Sequence, residues 1–178
     1  MTPLNYALLG LIRDEPRTGY ALRKVFEATP MGNYSSSPGS IYPALKVLVK
    51  ATLIEGGDKA PYVITAAGRK AFNHWLLQPM AENEPIHMAL LRFAFLHDHP
   101  DKQVSLDFLK SFAMAAKARV TGLKAFMSSD LWHDMPLQSR LAVEHGVRTT
   151  EASAEWALDA WRQLQRSSGN DIGKVTKS

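Results

Sequence analysis

The sequence predicts a mainly α-helical fold that contains one small β-hairpin and is divided into two halves. In the first 78 residues, three short stretches with apolar residues at three- and four-residue spacing precede two short strand-like runs. Longer helical patterns fill the second half. A polar connector with two prolines, residues 78–85, lies between the halves, so we expect domains at residues 1–80 and 81–178.

The composition narrows the class of protein. Of the 178 residues, 46% are hydrophobic and 21% are charged, which is typical of a globular chain. No apolar run approaches the roughly 20 residues of a membrane span, and the first 12 residues lack a secretory signal. We therefore expect a cytoplasmic protein without membrane contact. Cysteine is absent, which excludes disulfides, thiolate metal sites and cysteine nucleophiles.

Three short helices are predicted first. Their apolar positions are Leu4, Leu8, Leu11 and Ile12, then Leu22, Val25 and Phe26, then Ile41, Leu45 and Leu48. The first helix ends before Pro16 and the second before Pro30. The third helix is expected over residues 38–51, because Ser37 is a capping residue and Pro38 suits a first turn. Pro43 lacks an N–H, so regular hydrogen bonding is expected to begin around Gly39 or Ser40.

A small hairpin and a fourth helix follow. Residues 53–55 and 62–65 have strand character and are joined by a turn-rich segment, residues 56–61. Thr65 then caps a helix that runs to Gln78. Three short helices, a two-stranded wing and a fourth helix describe a winged helix-turn-helix, in which the third helix enters the DNA major groove.

The residues of this N-terminal half resemble the PadR family of transcriptional regulators. The resemblance rests on ordered motifs: Leu8-Leu9-Gly10-Leu11, Gly19-Tyr20-Ala21-Leu22, Gly39-Ser40-Ile41-Tyr42-Pro43-Ala44-Leu45, Leu48, Leu53-Ile54 and Tyr62-Val63-Ile64-Thr65-Ala66-Ala67-Gly68-Arg69. The wing is shorter than in that family, and Lys50-Ala51-Thr52 replaces the usual acidic residue and glycine. The resemblance implies a DNA-binding repressor, and the family's phenolic-acid sensors imply a small aromatic effector.

The outer face of the third helix is predicted to bind double-stranded operator DNA. No Asp or Glu occurs from Ala28 to Ile54, an arrangement that phosphates tolerate best. Residues 1–80 hold 9 basic and 5 acidic residues, and so carry the whole net charge of +4. The predicted DNA contacts are Tyr20, Lys24, Ser37, Gly39, Ser40, Tyr42, Pro43, Lys46, Lys50 and Lys59. The alternative is that Tyr42 is a packing residue and that the lysines only confer solubility.

The second half is predicted to form a helical dimerisation domain. Helices are expected over residues 86–96, through Leu109 to Met127, and from Leu137 to Leu164. Their apolar faces are broad for so small a domain, so a second copy is expected to complete the core. The predicted interface residues are Leu141, Val147, Ala154, Leu158 and Trp161. A monomeric bundle that folds back on the winged helix is the alternative.

Neither a metal site nor a catalytic nucleophile is supported by the sequence. His97-Asp98-His99 is more typical of a loop between helices than of a metal site, and the serines at 35–37 lack the nucleophile-elbow pattern. We expect no metal, no cofactor and no enzymatic activity. An effector pocket is expected between the halves or at a dimer seam. A winged-helix module that binds protein instead of DNA is the alternative function. The two differ in how strongly the binding affinity falls as the salt concentration rises.

Overall fold

The computed structural model describes residues 1–35, 37–57, 60–81 and 84–172, which form two compact units that divide between Pro79 and Met80. The elements of the first unit are α1 (Pro3–Asp14), α2 (Gly19–Ala28), 3-10 turns at Pro30–Tyr34 and Pro38–Ser40, α3 (Ile41–Lys50), β1 (Ile54–Gly57), β2 (Ala60–Ile64) and α4 (Ala66–Leu76). The second unit contains α5 (Ile86–Ala94), α6 (Lys102–Met127), α7 (Asp130–His133) and α8 (Leu137–Ile172). The predicted mainly α class with a winged helix-turn-helix is confirmed.

The core of the first unit is aliphatic at its centre and aromatic at one side. Its fully buried side chains come from α1, α2, α3, β1 and α4, namely Leu8, Leu9, Ile12, Leu22, Ile41, Leu45, Leu48, Ile54 and Phe72. The rings of Tyr6 and Trp75 stack 4.1 Å apart, and burial raises the pKa of the Tyr6 phenol. Helices α1, α3 and α4 therefore share one apolar interior.

The hairpin is fastened to the loop that joins α1 to α2. Ile54 lies opposite Ile64 in the antiparallel pair, and both side chains are buried. The N–H of Tyr62 donates to the Arg17 carbonyl at 2.8 Å, and the N–H of Arg17 donates back to the Tyr62 carbonyl at 3.2 Å. This bridge places the loop before α2 alongside β2 and fixes the wing relative to the helix pair.

The junction between α3, β1 and α4 is the tightest backbone contact in the unit. The Thr65 hydroxyl accepts the N–H of Gly68 at 2.9 Å and donates to the Thr52 carbonyl at 2.7 Å. A methyl group on Gly68 would lie 2.0 Å from the Leu53 carbonyl oxygen, closer than any real contact. Thr52 has a φ of 57°, a left-handed conformation that glycine adopts more easily. The glycine usual at this turn in the PadR family thus has a clear physical purpose.

The regular part of α3 starts one or two residues after Gly39 or Ser40, the positions expected from Pro43. The expected helix over residues 38–51 is regular only from Ile41 to Lys50, and residues Pro38–Ser40 form a 3-10 turn. Ser37 makes no side-chain capping hydrogen bond. Because Pro43 has no N–H to donate to the carbonyl four residues earlier, the first α-helical turn is incomplete.

The second unit is built on two long antiparallel helices. Lys102, at the start of α6, donates to the Ser167 hydroxyl near the end of α8. Lys124, near the end of α6, pairs with Glu151 in the first half of α8. The helical turn α7 and the extension of α8 beyond Leu164 were not predicted. Among the described residues, no helix combines the length and apolar character needed to cross a bilayer.

A buried ion pair fixes the connector to the second unit. Arg92 on α5 donates from Nη1 to both carboxylate oxygens of Glu84, at 3.0 and 2.7 Å, and the side chains are 3% and 11% exposed. The Arg92 guanidinium also lies 5.2 Å from the centre of the Phe108 ring. Removing one partner of such a pair would leave a buried charge uncompensated.

We expect Gly68→Ala to lower the free energy of unfolding of the first unit by about 1–3 kcal/mol, because the methyl group would displace the Leu53 backbone. Urea unfolding followed by circular dichroism measures this. The control is Gly122→Ala in α6, where a Cβ meets open space and helix propensity should raise stability by about 0.5–1 kcal/mol. Wild-type stability for Gly68→Ala would contradict the close contact.

Candidate nucleic-acid interface

Helix α3 has one buried face and one exposed face. Ile41, Leu45 and Leu48 point into the core and are at most 1% exposed. The opposite face carries a stripe at positions i, i+3, i+4 and i+7, which consists of Pro43, Lys46, Val47 and Lys50, all of them exposed. This stripe is hereafter called the outer stripe of α3.

The outer stripe of α3 carries two positive charges, on Lys46 and Lys50. Neither Lys46 nor Lys50 has an ion-pair partner within the described part of the chain. The sequence from Ala28 to Ile54 also lacks any carboxylate that could pair with them. A helix face of this kind favours a polyanion, since phosphates supply the missing negative charge.

Tyr42 joins α3 to the start of α2. Its ring covers Gly19 so closely that a methyl group on Gly19 would lie 2.7 Å from the ring carbon Cε1. The side chain nevertheless remains 39% exposed. Tyr42 is therefore both a packing residue and an accessible one, and the two interpretations of it made from the sequence are compatible.

The outer side of α2 forms a second basic patch beside an aromatic ring. Tyr20 is 58% exposed, with the Arg23 guanidinium carbon 5.6 Å and the Lys24 ammonium 5.7 Å from its ring centre. Arg23 also pairs with Glu27 one turn later, at 3.4 Å. Lys24 has no ion-pair partner among the described residues, so it is the cation of this patch that remains free for phosphate.

The segment before α3 is held by serine hydroxyls. The Oγ atoms of Ser35 and Ser40 lie 2.8 Å apart, and each is 2.7 Å from the Ser37 carbonyl oxygen. The Ser40 hydroxyl, predicted to contact DNA, is thus committed to its own backbone. Gly39 and the Ser37 side chain are exposed next to it.

Most of the predicted DNA contacts occupy adjacent parts of the first unit. Those on α3 and on the turn before it are Ser37, Gly39, Ser40, Tyr42, Pro43, Lys46 and Lys50, and those on α2 are Tyr20 and Lys24. Lys59, predicted at the tip of the wing, lies outside the described residues. Val47, which completes the outer stripe, was noted from the sequence only as a flanking residue, and its exposure of 57% is the signal that distinguishes it.

The predicted dimer residues divide into buried and exposed positions. Val147 and Ala154 are buried within this unit, at 7% and 4% exposure, and Leu158 and Trp161 pack on the cluster formed by Ala89, Leu109, Phe112, Ala113 and Ala157. Leu141 is 52% exposed. Four of the five positions therefore support the fold of one chain, and Leu141 is the one that presents an apolar side chain to the outside.

Three helices, a hairpin and a fourth helix form a winged helix-turn-helix, and the outer stripe of the third helix has no ion-pair partner among the described residues. This is the architecture of DNA-binding regulators of transcription. The model of the family described as the transcriptional regulator PadR-like family matches residues 8–74. Residues 8–74 therefore match the family that the motifs in this half resembled.

Two curated relatives agree with this assignment. The negative transcriptional regulator PadR of Bacillus subtilis is 25% identical over 165 residues, which cover 81% of this chain and 91% of the relative. The transcriptional regulator YqjI of Escherichia coli is 31% identical over 115 residues, which cover 61% of this chain and 54% of the relative. Both are named as regulators, which confirms the prediction that the chain is not an enzyme.

Solved structures of Bacillus subtilis PadR also resemble this chain. The complex with p-coumaric acid is 22% identical, with a TM-score of 0.42, and the alignment covers 92% of this chain and 99% of that chain. The complex with operator DNA is 22% identical, with a TM-score of 0.38, and the alignment covers 90% and 98%.

Proposed function

We propose that this DNA-binding regulator acts as a homodimeric repressor, which binds a two-fold symmetric operator through α3 and is modulated by a small aromatic effector. The observation that carries the proposal is the outer stripe of α3, whose two lysines have no carboxylate partner among the described residues. A winged helix-turn-helix uses this helix to enter the major groove. The regulator then occludes a promoter by occupying its operator.

The contacts divide by chemistry. Lys46 and Lys50 neutralise phosphates and approach base edges, while Tyr20 and Lys24 on α2 meet the sugar-phosphate backbone where the preceding helix crosses it. Lys59 is assigned to the backbone that flanks the groove. Exposed Gly39 lets the start of the helix approach the DNA closely. The phosphate contacts position the protein and supply salt-dependent affinity.

Repression and dimerisation are proposed from different observations. The curated relative from Bacillus subtilis is named a negative transcriptional regulator. A dimer presents two α3 helices to two half-sites. The second unit exposes large apolar side chains that a second copy would cover, and these are Met114, Leu131, Leu137 and Leu141. Leu137 and Leu141 lie one helical turn apart on α8, so they share a face.

The aromatic effector is assigned to a groove within the second unit. The groove has a volume of about 440 Å³ and is lined by Ile86, Leu90, Phe112, Ala152, Ser153 and Trp156. This volume lies within the range of small-molecule sites, roughly 300–1,000 Å³. The Trp156 ring lies at a right-angled orientation to Phe112, with the centres 5.9 Å apart. An aromatic molecule would add a third ring to this pair.

The protein-binding module is the competing function. An apolar protein interface has little salt dependence, whereas DNA binding weakens steeply as salt displaces the protein from phosphates. Exposed Val47, Val49 and Val63 are the apolar side chains that such a partner would use. Lys46 and Lys50 flank Val47 and Val49 in the sequence, and positive charge at these positions favours DNA.

We expect Lys46→Glu combined with Lys50→Glu to weaken operator binding at least tenfold, because each reversal turns attraction to phosphate into repulsion. Gel-shift titration at several salt concentrations measures the affinity and the salt slope. The matched control is Lys70→Glu combined with Lys117→Glu, which makes the same change in net charge at exposed positions outside α3. If the α3 variant bound as tightly as the control, α3 would not lie in the groove.

We expect Leu141→Glu to dissociate the dimer without unfolding the chain, since the side chain is exposed in one copy but would be buried between two. Light scattering gives the mass and circular dichroism the helix content. The control, Leu77→Glu, charges a leucine that is 50% exposed in the first unit and should leave the mass unchanged. A Leu141→Glu dimer of full stability would exclude this face of α8 from the interface.

We expect an aromatic effector to quench the fluorescence of Trp156 and to change operator affinity at the same concentration. Titration with a panel of aromatic compounds, followed in parallel by fluorescence and by gel shift, tests both effects. Trp156→Phe keeps an aromatic wall but should lose the quenching. Quenching without any change in operator affinity would show that the groove has no regulatory role, and quenching that survives in Trp156→Phe would place the ligand elsewhere.

A further inference from the structure

The side chains of α3 offer a restricted chemistry to DNA bases. In the major groove, Arg and Lys read guanine, Asn and Gln read adenine, carboxylates read cytosine, and apolar groups contact the C5-methyl group of thymine. Helix α3, Ile41–Lys50, contains no Arg, Asn, Gln, Asp or Glu. Its outer stripe therefore reads bases with lysine ammonium groups and with apolar surface.

Val47 is the apolar side chain best placed for that contact. It is 57% exposed, more than Val49 on the flank of the same helix at 37%. Along the outer stripe it lies one turn after Pro43 and one turn before Lys50, so cationic and apolar groups alternate on the surface that faces the groove. The core of the first unit does not use this side chain.

The Val47 side chain is also rigid enough to make a base-specific contact. A β-branched side chain in a helix holds essentially one rotamer, so little side-chain entropy is lost when it meets a partner. A lysine has four rotatable bonds, and its ammonium group binds either a phosphate or a guanine acceptor. Recognition of a thymine therefore depends on the stiff apolar group.

We infer that Val47 is a specificity-determining residue, which packs against the C5-methyl group of one thymine in each operator half-site. The inference rests on the proposed function, because it requires α3 to lie in the major groove. The partner is defined by chemistry alone: a thymine whose methyl group projects into the groove where Lys46 and Lys50 meet the backbone. Pro43, one turn earlier, widens the apolar surface.

The test removes the methyl group from each side of the contact in turn. Operators are first selected by the full-length protein from random duplexes, and each thymine of a half-site is then replaced by deoxyuridine, which keeps the base pair and deletes only the methyl group. At one thymine, we expect the replacement to weaken wild-type binding about fourfold per half-site, the factor expected for one buried methyl-sized group.

The Val47→Ala variant completes the cycle. It should bind the thymine operator more weakly than the wild type and should show no further loss with deoxyuridine at that position. Val49→Ala makes the same change in side chain on the flank of α3 and should retain the full deoxyuridine effect. Circular dichroism checks that both variants fold as the wild type does.

Each result decides the inference. A wild type that is insensitive to deoxyuridine at every thymine would overturn it, and so would a Val47→Ala variant that keeps the same sensitivity. If the lysine reversals on α3 weaken binding while deoxyuridine has no effect, the proposed function stands and only the role of Val47 is lost. If no duplex is selected at all, or if the lysine reversals have no effect, the proposed function fails and the role of Val47 fails with it.

Discussion

The burial of Ile41, Leu45 and Leu48 is the interaction on which the rest of the DNA-facing surface depends. Each of these side chains is almost completely removed from solvent, which stabilises the fold by about 1.5–3 kcal/mol per residue. Because an α-helix has 3.6 residues per turn, fixing these three positions leaves no freedom in the direction of the remaining ones. The outer stripe of α3 is thus oriented by the core rather than by its own contacts.

The winged helix could be predicted because its signals are local. Apolar spacing locates α1, α2 and α3, and the same spacing identifies Lys46 and Lys50 as outward-facing residues. The turn before α3 was harder to predict, because Ser37 is a residue type that often caps helices but makes no capping hydrogen bond here. Its carbonyl instead receives the Ser40 hydroxyl, and residue preference alone does not reveal that arrangement.

In the second unit, the hydrophobic pattern of the sequence does not predict which apolar residues are buried within one chain. The sequence marks Val147, Ala154 and Leu141 alike as apolar positions of one long helix. The structure buries Val147 and Ala154 in the same chain and leaves Leu141 exposed. A periodic apolar face says that something must cover it, but not whether the covering helix belongs to the same copy. That distinction depends on the path of α6, which packs against α8 from a distant part of the sequence.

The lysines and the apolar side chain of α3 have different roles because electrostatic attraction and apolar contact act over different distances. Attraction between lysine and phosphate acts over about 8–10 Å at moderate salt and is almost the same for every DNA sequence. Contact between apolar groups acts only where atoms touch, so it depends on which base carries a methyl group. A regulator whose recognition helix has lysines but no amide or guanidinium side chain therefore gains affinity from charge, and at A·T pairs it must take its discrimination from shape and apolar contact. The close packing of Tyr42 on Gly19 matters for the same reason, because a contact that acts only at touching distance requires α2 and α3 to be held rigidly together.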